Sequence, residues 1–353
     1  MKQRVKQHGR AAAAARGLSF TFLELNAVRP ATSRDYFERI ENFMQWADLK
    51  TFELVSVKEL DGLVCEFLEA QYFDGHNHDC GDKLIAAIGK FAWPRISLKN
   101  PCELPRTMNA AKGFKRLAPG HSRAPLPWVA LVAMAAAASS LGWWGMTVAL
   151  VLHFTCYLRP GELLKLKVSS VIMPVNGAGT ASPSLLLSPL EGGIPGKTQE
   201  YDESVLVDWP RLPGLTVALG MLMKHKRDDD LLFNLDYRTY LEQFNRLAEL
   251  TGVNILKPHP YALRHGGASH QYLTKQLAIA AIKRKGRWKA DNSVRRYEKS
   301  ARVAKETAAL PSRTREYAMK WEPVLNDILR NKIQADAPPF LVAPSLRKRK
   351  RAS

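Results

Sequence analysis

Lys-Pro-His-Pro-Tyr-Ala-Leu-Arg-His-Gly-Gly-Ala-Ser-His (257–270) and Lys-Gly-Arg-Trp-Lys-Ala-Asp-Asn-Ser-Val-Arg-Arg-Tyr-Glu (285–298) form the stretch on which the reading of this chain turns. Arg264 falls near the start of a helical pattern. The run Gly266-Gly267-Ala268-Ser269 is small enough for another backbone to approach closely. Between His265 and Ala290 there is no acid, whereas Lys275, Lys283, Arg284, Lys285, Arg287 and Lys289 supply positive charge. Tyr297 closes the stretch, directly behind Arg295 and Arg296. Positive charge without local acids suits a polyanion, and phosphate is the obvious one. A tyrosine beside a phosphate site is a candidate nucleophile. Singly, each residue is ordinary: a Tyr after two Arg commonly edges a core. The set and its spacing carry the weight.

Outward from that stretch, composition sets the frame. A chain of 353 residues with 46% hydrophobic content is long enough for two globular domains. Lys and Arg number 52 against 33 acids, a net charge of +19, which favours a nucleic acid or an anionic membrane as partner. Cys65, Cys80, Cys102 and Cys156 lack paired spacing, as expected of free thiols in a reducing compartment. From Trp128 to Leu158 the ionisable side chains are His153, Cys156 and Tyr157 alone, and by length this segment could span a membrane. Gly142-Trp143-Trp144-Gly145 interrupts it, so two buried core helices joined by a tight turn are expected, and no membrane. Residues 1–19 form a basic, Ala-rich tail without the apolar core of a signal peptide. The tail at 336–353 ends in Leu-Arg-Lys-Arg-Lys-Arg-Ala-Ser, a nuclear import or phosphate-binding cluster by type, or a solvated end; a nuclear location is the expectation.

Residues 20–117 pattern as a small helical module. Thr32 with Asp35 predicts a capped helix over 32–48, with Phe37, Ile40 and Met44 on one face. Ser56 with Glu59 predicts a second, lined by Leu60, Val64 and Phe67. A third is expected over 82–92 and a fourth over 105–117, the latter exposing Arg106, Lys112, Lys115 and Arg116 toward a duplex. The intervening loop holds His76, His78, Asp79 and Cys80, but no second ligand pair accompanies them. That loop therefore reads as a polar connection, and no metal is expected.

Residues 118–127, Ala-Pro-Gly-His-Ser-Arg-Ala-Pro-Leu-Pro, are a linker by composition, and a second domain follows over 128–335. Arg159 ends its second apolar helix, before Pro160-Gly161, and a buried arginine needs a partner, for which Glu162 is the candidate. Short β-type runs at 184–188 and 204–208 flank a Gly- and Pro-rich loop that carries Lys197. Helical patterns resume near 214–224 and 237–251.

These residues resemble the tyrosine recombinase, or phage integrase, family. Leu158-Arg159-Pro160-Gly161-Glu162-Leu163 looks like its first-arginine motif and Ala262-Leu263-Arg264-His265 like its second. Lys197 falls where the family carries a catalytic lysine between strands, with Lys165 and Lys167 as the alternatives, and Trp288 where it holds His or Trp. Tyr297 follows Trp288 by nine residues, the family's own step to its nucleophile. The spellings Leu-Arg-His-Gly-Gly-Ala-Ser and Gly-Arg-Trp, with Arg-Arg-Tyr at the end, look most like recombinases of eukaryotic mobile elements. One position departs: Tyr261 stands where the family has a histidine, three residues before the second arginine. Tyrosine can donate to phosphate but is a poor base near neutrality.

The resemblance implies a mainly α, two-domain DNA clamp with a small β-hairpin in the catalytic domain. Its first domain would be the helical, core-binding (SAM-like) type. Arg159 and Arg264 would clamp a phosphate, Lys197 would protonate the leaving 5′ oxygen, and Tyr261 and Trp288 would line the site. Tyr297 would form a 3′-phosphotyrosyl bond, with Glu162 and His265 in support and no cofactor. Lys283, Arg284, Lys285, Arg287, Lys289, Arg295 and Arg296 would contact double-stranded DNA, on which the enzyme would act as a tetramer. Two other classes stay open: a DNA-binding descendant with weak or no catalysis, and a type IB topoisomerase.

Overall fold

The computed structural model describes residues 22–49, 56–91, 103–120, 124–175, 181–193, 196, 200–298 and 300–340. Lys197, Cys102 and the basic tails at 1–19 and 346–353 lie outside the described residues. The chain divides into two compact units, Met1–Ser122 and Arg123–Ser353.

The first unit is built from helices α1 (Pro30–Trp46), α2 (Val57–Phe73), α3 (Asp79–Phe91) and α4 (Pro105–Leu117), after a single turn at Phe22–Leu25. Helix α1 begins two residues ahead of Thr32, which does not cap it. Pro30 at the first helical position, with extended Arg29 before it, starts the helix instead, because proline's fixed φ is already helical. The capping box of α2 forms as its sequence predicts: Glu59 N–H donates to Ser56 Oγ at 3.2 Å and Ser56 N–H to Glu59 Oε2 at 2.9 Å. Helix α3 starts at Asp79 rather than 82, with two acids, Asp79 and Asp82, in its first turn to favour the N-terminal dipole end. Packing of α1 on α3 and of α2 on α4 encloses Phe43, Leu60, Val64, Leu84 and Ile88.

Helix α4 has no side-chain cap of its own. Its cap comes from α2: the carboxylate of Asp61, 5% exposed, accepts from Arg106 N–H at 3.0 Å and Thr107 N–H at 2.8 Å. Two orphan donors at a helix start are thus satisfied from a neighbouring helix. Arg106, Lys112, Lys115 and Arg116 are exposed along α4.

In the second unit, α5 (Trp128–Ser140) and α6 (Trp144–Thr155) are apolar on all sides and buried on all sides. The turn between them places Gly142 at φ 73, as the interrupted apolar run predicts. Among the described residues no helix is long and apolar enough to cross a membrane. After the short α7 (Pro160–Leu163) comes an antiparallel sheet of β1 (Val171–Ile172), β2 (Ser184–Leu187) and β3 (Glu203–Leu206), in that order. The β2–β3 register pairs Ser184 with Leu206 and Leu187 with Glu203. The strands are shorter than expected, and β1 is too short to leave a periodic signature. Helices α8 (Gly214–Met223), α9 (Tyr237–Leu250), α10 (Tyr261–Leu273), α11 (Ile279–Lys285), α12 (Asn292–Arg295), α13 (Ser300–Ala309), α14 (Ser312–Trp321) and α15 (Leu325–Leu329) complete the unit. Helix α5 packs on α6 and α14, and α6 packs on α10. The result is a mainly α fold with one small antiparallel sheet.

Asp61→Ala is expected to destabilise the first unit by about 1–3 kcal/mol, since two buried N–H groups lose their acceptor. Urea unfolding followed by circular dichroism reads the effect. An unchanged midpoint would show that water caps α4 instead.

Candidate active site

The site begins with a close backbone approach. A Cβ on Gly267 would collide with the carbonyl of Phe154, and one on Gly266 with the carbonyl of Leu126. Without those methyls, α10 lies against α6 and the segment entering α5, which draws Arg264 into the interior. Arg264 is fully buried.

Its guanidinium is held by backbone rather than by a carboxylate. Nη1 donates to the carbonyl of Tyr157 and Nη2 to that of Gly286. Both carbonyls are aimed by non-glycine residues in the left-handed region, Tyr157 at φ 47 and Arg287 at φ 54. Such conformations cost about 1–3 kcal/mol each and persist where surrounding structure enforces them. The Trp288 ring lies 4.7 Å from the Arg264 guanidinium carbon, a cation–π contact. A Cβ on Gly286 would run into that same ring. Nε of Arg264 is buried with no hydrogen-bond partner. Burial, reinforced by the nearby Arg287 and Arg159, pushes the Arg264 pKa down to about 10, which leaves it charged at neutrality.

Tyr297 is 2% exposed, with Oη 2.8 Å from His265 Nδ1 and its ring centroid 4.7 Å from that of Trp288. Tyr261 lies on the same helix one turn before His265, their rings 5.0 Å apart. Arg159 precedes α7, and its side chain pairs with Glu162, as the motif predicts. Glu162 Oε2 also accepts from Arg159 N–H at 2.7 Å and from Arg287 Nη2 at 2.6 Å. Burial alone would raise the Glu162 carboxyl, but the Arg287 and Arg159 guanidiniums and the backbone N–H together hold it below the usual range. The structure therefore brings Arg159, Glu162, Arg264, His265, Tyr261, Trp288 and Tyr297 into one region of the second unit. Lys197 and the side chain of Arg296 lie outside the described residues.

Burial sets two of the expected DNA-contacting cations apart from the rest. Lys285 and Arg287 have side chains 8% and 6% exposed. Lys285 pairs with Asp208 at 2.6 Å, and Arg287 pairs with Glu162 and lies 3.6 Å from Glu203. Neither presents a cation to solvent. Lys283 pairs with Asp291 at 2.5 Å and Lys289 with Glu200 at 3.0 Å, both nearer the surface, while Arg284 and Arg295 are exposed. A cleft of about 900 Å³ opens here, lined by Glu203, Lys283, Arg284, Arg287, Trp288 and Arg295 among others. Asp208 and Glu203 carry no motif and were not expected at the site; only the fold places them there. In the first unit His78, Asp79 and Asp82 bring ligand-type atoms within 4.8 Å of one another, but both carboxylates are exposed in the first turn of α3, where helix polarity already accounts for them.

No family model and no curated protein matches the chain. Solved structures do. The chain is similar to the integrase of the transposon Tn1549 in complex with transposon right-end DNA, with TM-score 0.52 and 14% identity over 86% of this chain and 99% of that one. It is also similar to the XerH site-specific recombinase bound to a palindromic difH substrate in a post-cleavage complex, with TM-score 0.51 and 16% identity over 82% of this chain and 80% of that one. At these identities the likeness establishes the fold, which is that of the tyrosine recombinases.

The Glu162 geometry generates a pH prediction. A carboxyl whose folded pKa is depressed contributes stability above its unfolded pKa, about 4.3, and loses it as pH falls through the folded value. Wild type should therefore exceed Glu162→Gln in stability at neutral pH, and the gap should close as pH falls below the ordinary carboxylate range. Urea midpoints across that range test it; a constant gap would mean the carboxylate charge is not what the pair contributes.

Proposed function

We propose that this protein breaks and rejoins DNA strands through a covalent 3′-phosphotyrosyl intermediate at Tyr297. The observation that carries the reading is the convergence of Arg159, Arg264, Trp288 and Tyr297, in family order, within a recombinase fold. His265 Nδ1, at 2.8 Å, is placed to take the phenol proton as Tyr297 Oη attacks phosphorus. Negative charge builds on the non-bridging oxygens, and Arg159 and Arg264 offset it; the unpartnered Nε–H of Arg264 is one donor to spare. Lys197 gives its proton to the departing 5′ oxygen. The phosphotyrosyl bond then retains the energy of the broken phosphodiester, and a 5′-hydroxyl reverses the step to rejoin. Tyr261 donates a hydrogen bond to the phosphate in place of the family histidine.

Double-stranded DNA is the partner, held through phosphates by exposed cations of both units, including Arg116, Arg284 and Arg295. Assembly as a tetramer on DNA, a role in a eukaryotic-type mobile element and a nuclear location belong to the same reading. A second reading, a DNA-binding descendant that no longer cleaves, is favoured by Tyr261 alone.

A pool of nicked suicide duplexes with randomised cores separates the two. Wild type should yield a protein–DNA adduct that survives denaturant, and Tyr297→Phe should yield none while still binding DNA. Arg264→Ala should slow adduct formation about a hundredfold or more, on the order of 3 kcal/mol in the barrier. An adduct formed by Tyr297→Phe would move the nucleophile elsewhere. Duplex affinity should fall steeply with salt; binding indifferent to ionic strength would remove phosphate as the main contact. Tyr261→His should match or exceed wild type in cleavage and Tyr261→Phe should fall below it, whereas a Phe variant equal to wild type would reduce the position to packing.

A further inference from the structure

Arg287 is a buried cation with two anionic neighbours. Its Nη2 donates to Glu162 Oε2 at 2.6 Å, and its Nε lies 3.6 Å from Glu203 Oε2 on β3. The side chains of Glu162 and Glu203 are 16% and 7% exposed, so both carboxylates sit in a region of low dielectric. Glu162 is also the partner of Arg159. A buried carboxylate beside an arginine that must receive a phosphate poses a problem, since it neutralises that arginine and repels the incoming anion. Among the described residues, the guanidiniums of Arg159, Arg264 and Arg287 and the carboxylates of Glu162 and Glu203 form a group with one net positive charge. Without Arg287 the group is neutral.

We propose that Arg287 is a positioning residue for strand cleavage, which engages Glu162 so that the carboxylate orients Arg159 without cancelling its charge toward the phosphate. The inference rests on the strand-cleavage reading above. The backbone of Arg287 serves the same end: its left-handed conformation turns the Gly286 carbonyl toward Arg264 and sets the Trp288 ring against it. One residue thus links the two arginines of the site, one through a shared carboxylate and the other through the turn it shapes. Arg287 also lines the cleft, where it faces inward onto Glu162 and Glu203.

The test compares four full-length variants, Arg287→Gln, Arg287→Lys, Glu162→Gln and the double Arg287→Gln/Glu162→Gln, each with its melting temperature. The readouts are adduct rate on a cleaved suicide duplex and affinity for a short random duplex. Arg287→Gln should slow adduct formation about a hundredfold. The double variant, which removes one charge of each sign, should recover at least about tenfold of that loss. Arg287→Lys, which keeps the charge, should also stay above Arg287→Gln. A purely structural ion pair would change melting temperature without that recovery of rate. Arg287→Gln cleaving at the wild-type rate, or the double variant cleaving no faster than Arg287→Gln, overturns the inference. If Arg287→Gln does not fold, Arg287→Lys and the double variant decide it by the same comparison with wild type and Glu162→Gln. If wild type itself forms no adduct, the cleavage reading fails, and the affinities decide on Arg287. Several-fold weaker binding by Arg287→Gln, restored in the double variant and not reproduced by Lys320→Gln, which removes an exposed cation on α14 paired with Asp336, supports the charge role. Equal affinities in all of them overturn it.

Discussion

The second unit is arranged around one buried guanidinium. Arg264 has no solvent, and its two terminal nitrogens are satisfied by carbonyls from segments far apart in sequence, Tyr157 and Gly286. Those carbonyls point inward only because Tyr157 and Arg287 accept left-handed backbone. The arginine reaches them only because Gly266 and Gly267 let α10 lie against its neighbours without a Cβ between. An uncompensated buried charge is costly enough that each of these features constrains the others. Trp288 covers one face of the guanidinium and in turn supports Tyr297, so the residue that fixes the arginine also fixes the candidate nucleophile.

Charge is rationed in the same region. Glu162 serves Arg159 and Arg287, Glu203 lies close to Arg287, and Asp208 neutralises Lys285 beneath the rings of Tyr157 and Trp209. Apart from Arg264, which backbone carbonyls hold, the buried cations Lys285 and Arg287 are thus the ones with acidic partners, and those left at the surface, Arg284 and Arg295, suit a polyanion in solvent. The first unit solves a simpler problem. Its helices enclose an apolar core, and Asp61 supplies from α2 the cap that α4 lacks.

Much of this was written in local pattern. The apolar run broken at Gly142, the Ser56–Glu59 capping box, the fourth helix over 105–117 and the short strands near 184 and 204 are all readable because each depends on neighbours within a few residues. So is the Arg159–Glu162 pair, three residues apart on one turn. The small-residue run at 266–269 announced a close approach without saying what approaches. Where local signals compete, the pattern misleads: Thr32 has the spacing of a cap, but Pro30 two residues earlier starts the helix.

What the sequence could not supply is any relation between charges distant along the chain. From His265 to Ala290 it shows cations and no acid, which reads as an open basic surface. The fold brings Glu162, Glu203 and Asp208 from elsewhere to that run and buries Lys285 and Arg287 against them. The sequence by itself determined which segments become helices, where the small sheet lies and which arginines and tyrosine share a motif order. Only the tertiary structure decided which of the cations stay exposed and which are paired and buried, because pairing inside a protein is set by distance in space and by lost solvent, and neither is a property of sequence separation.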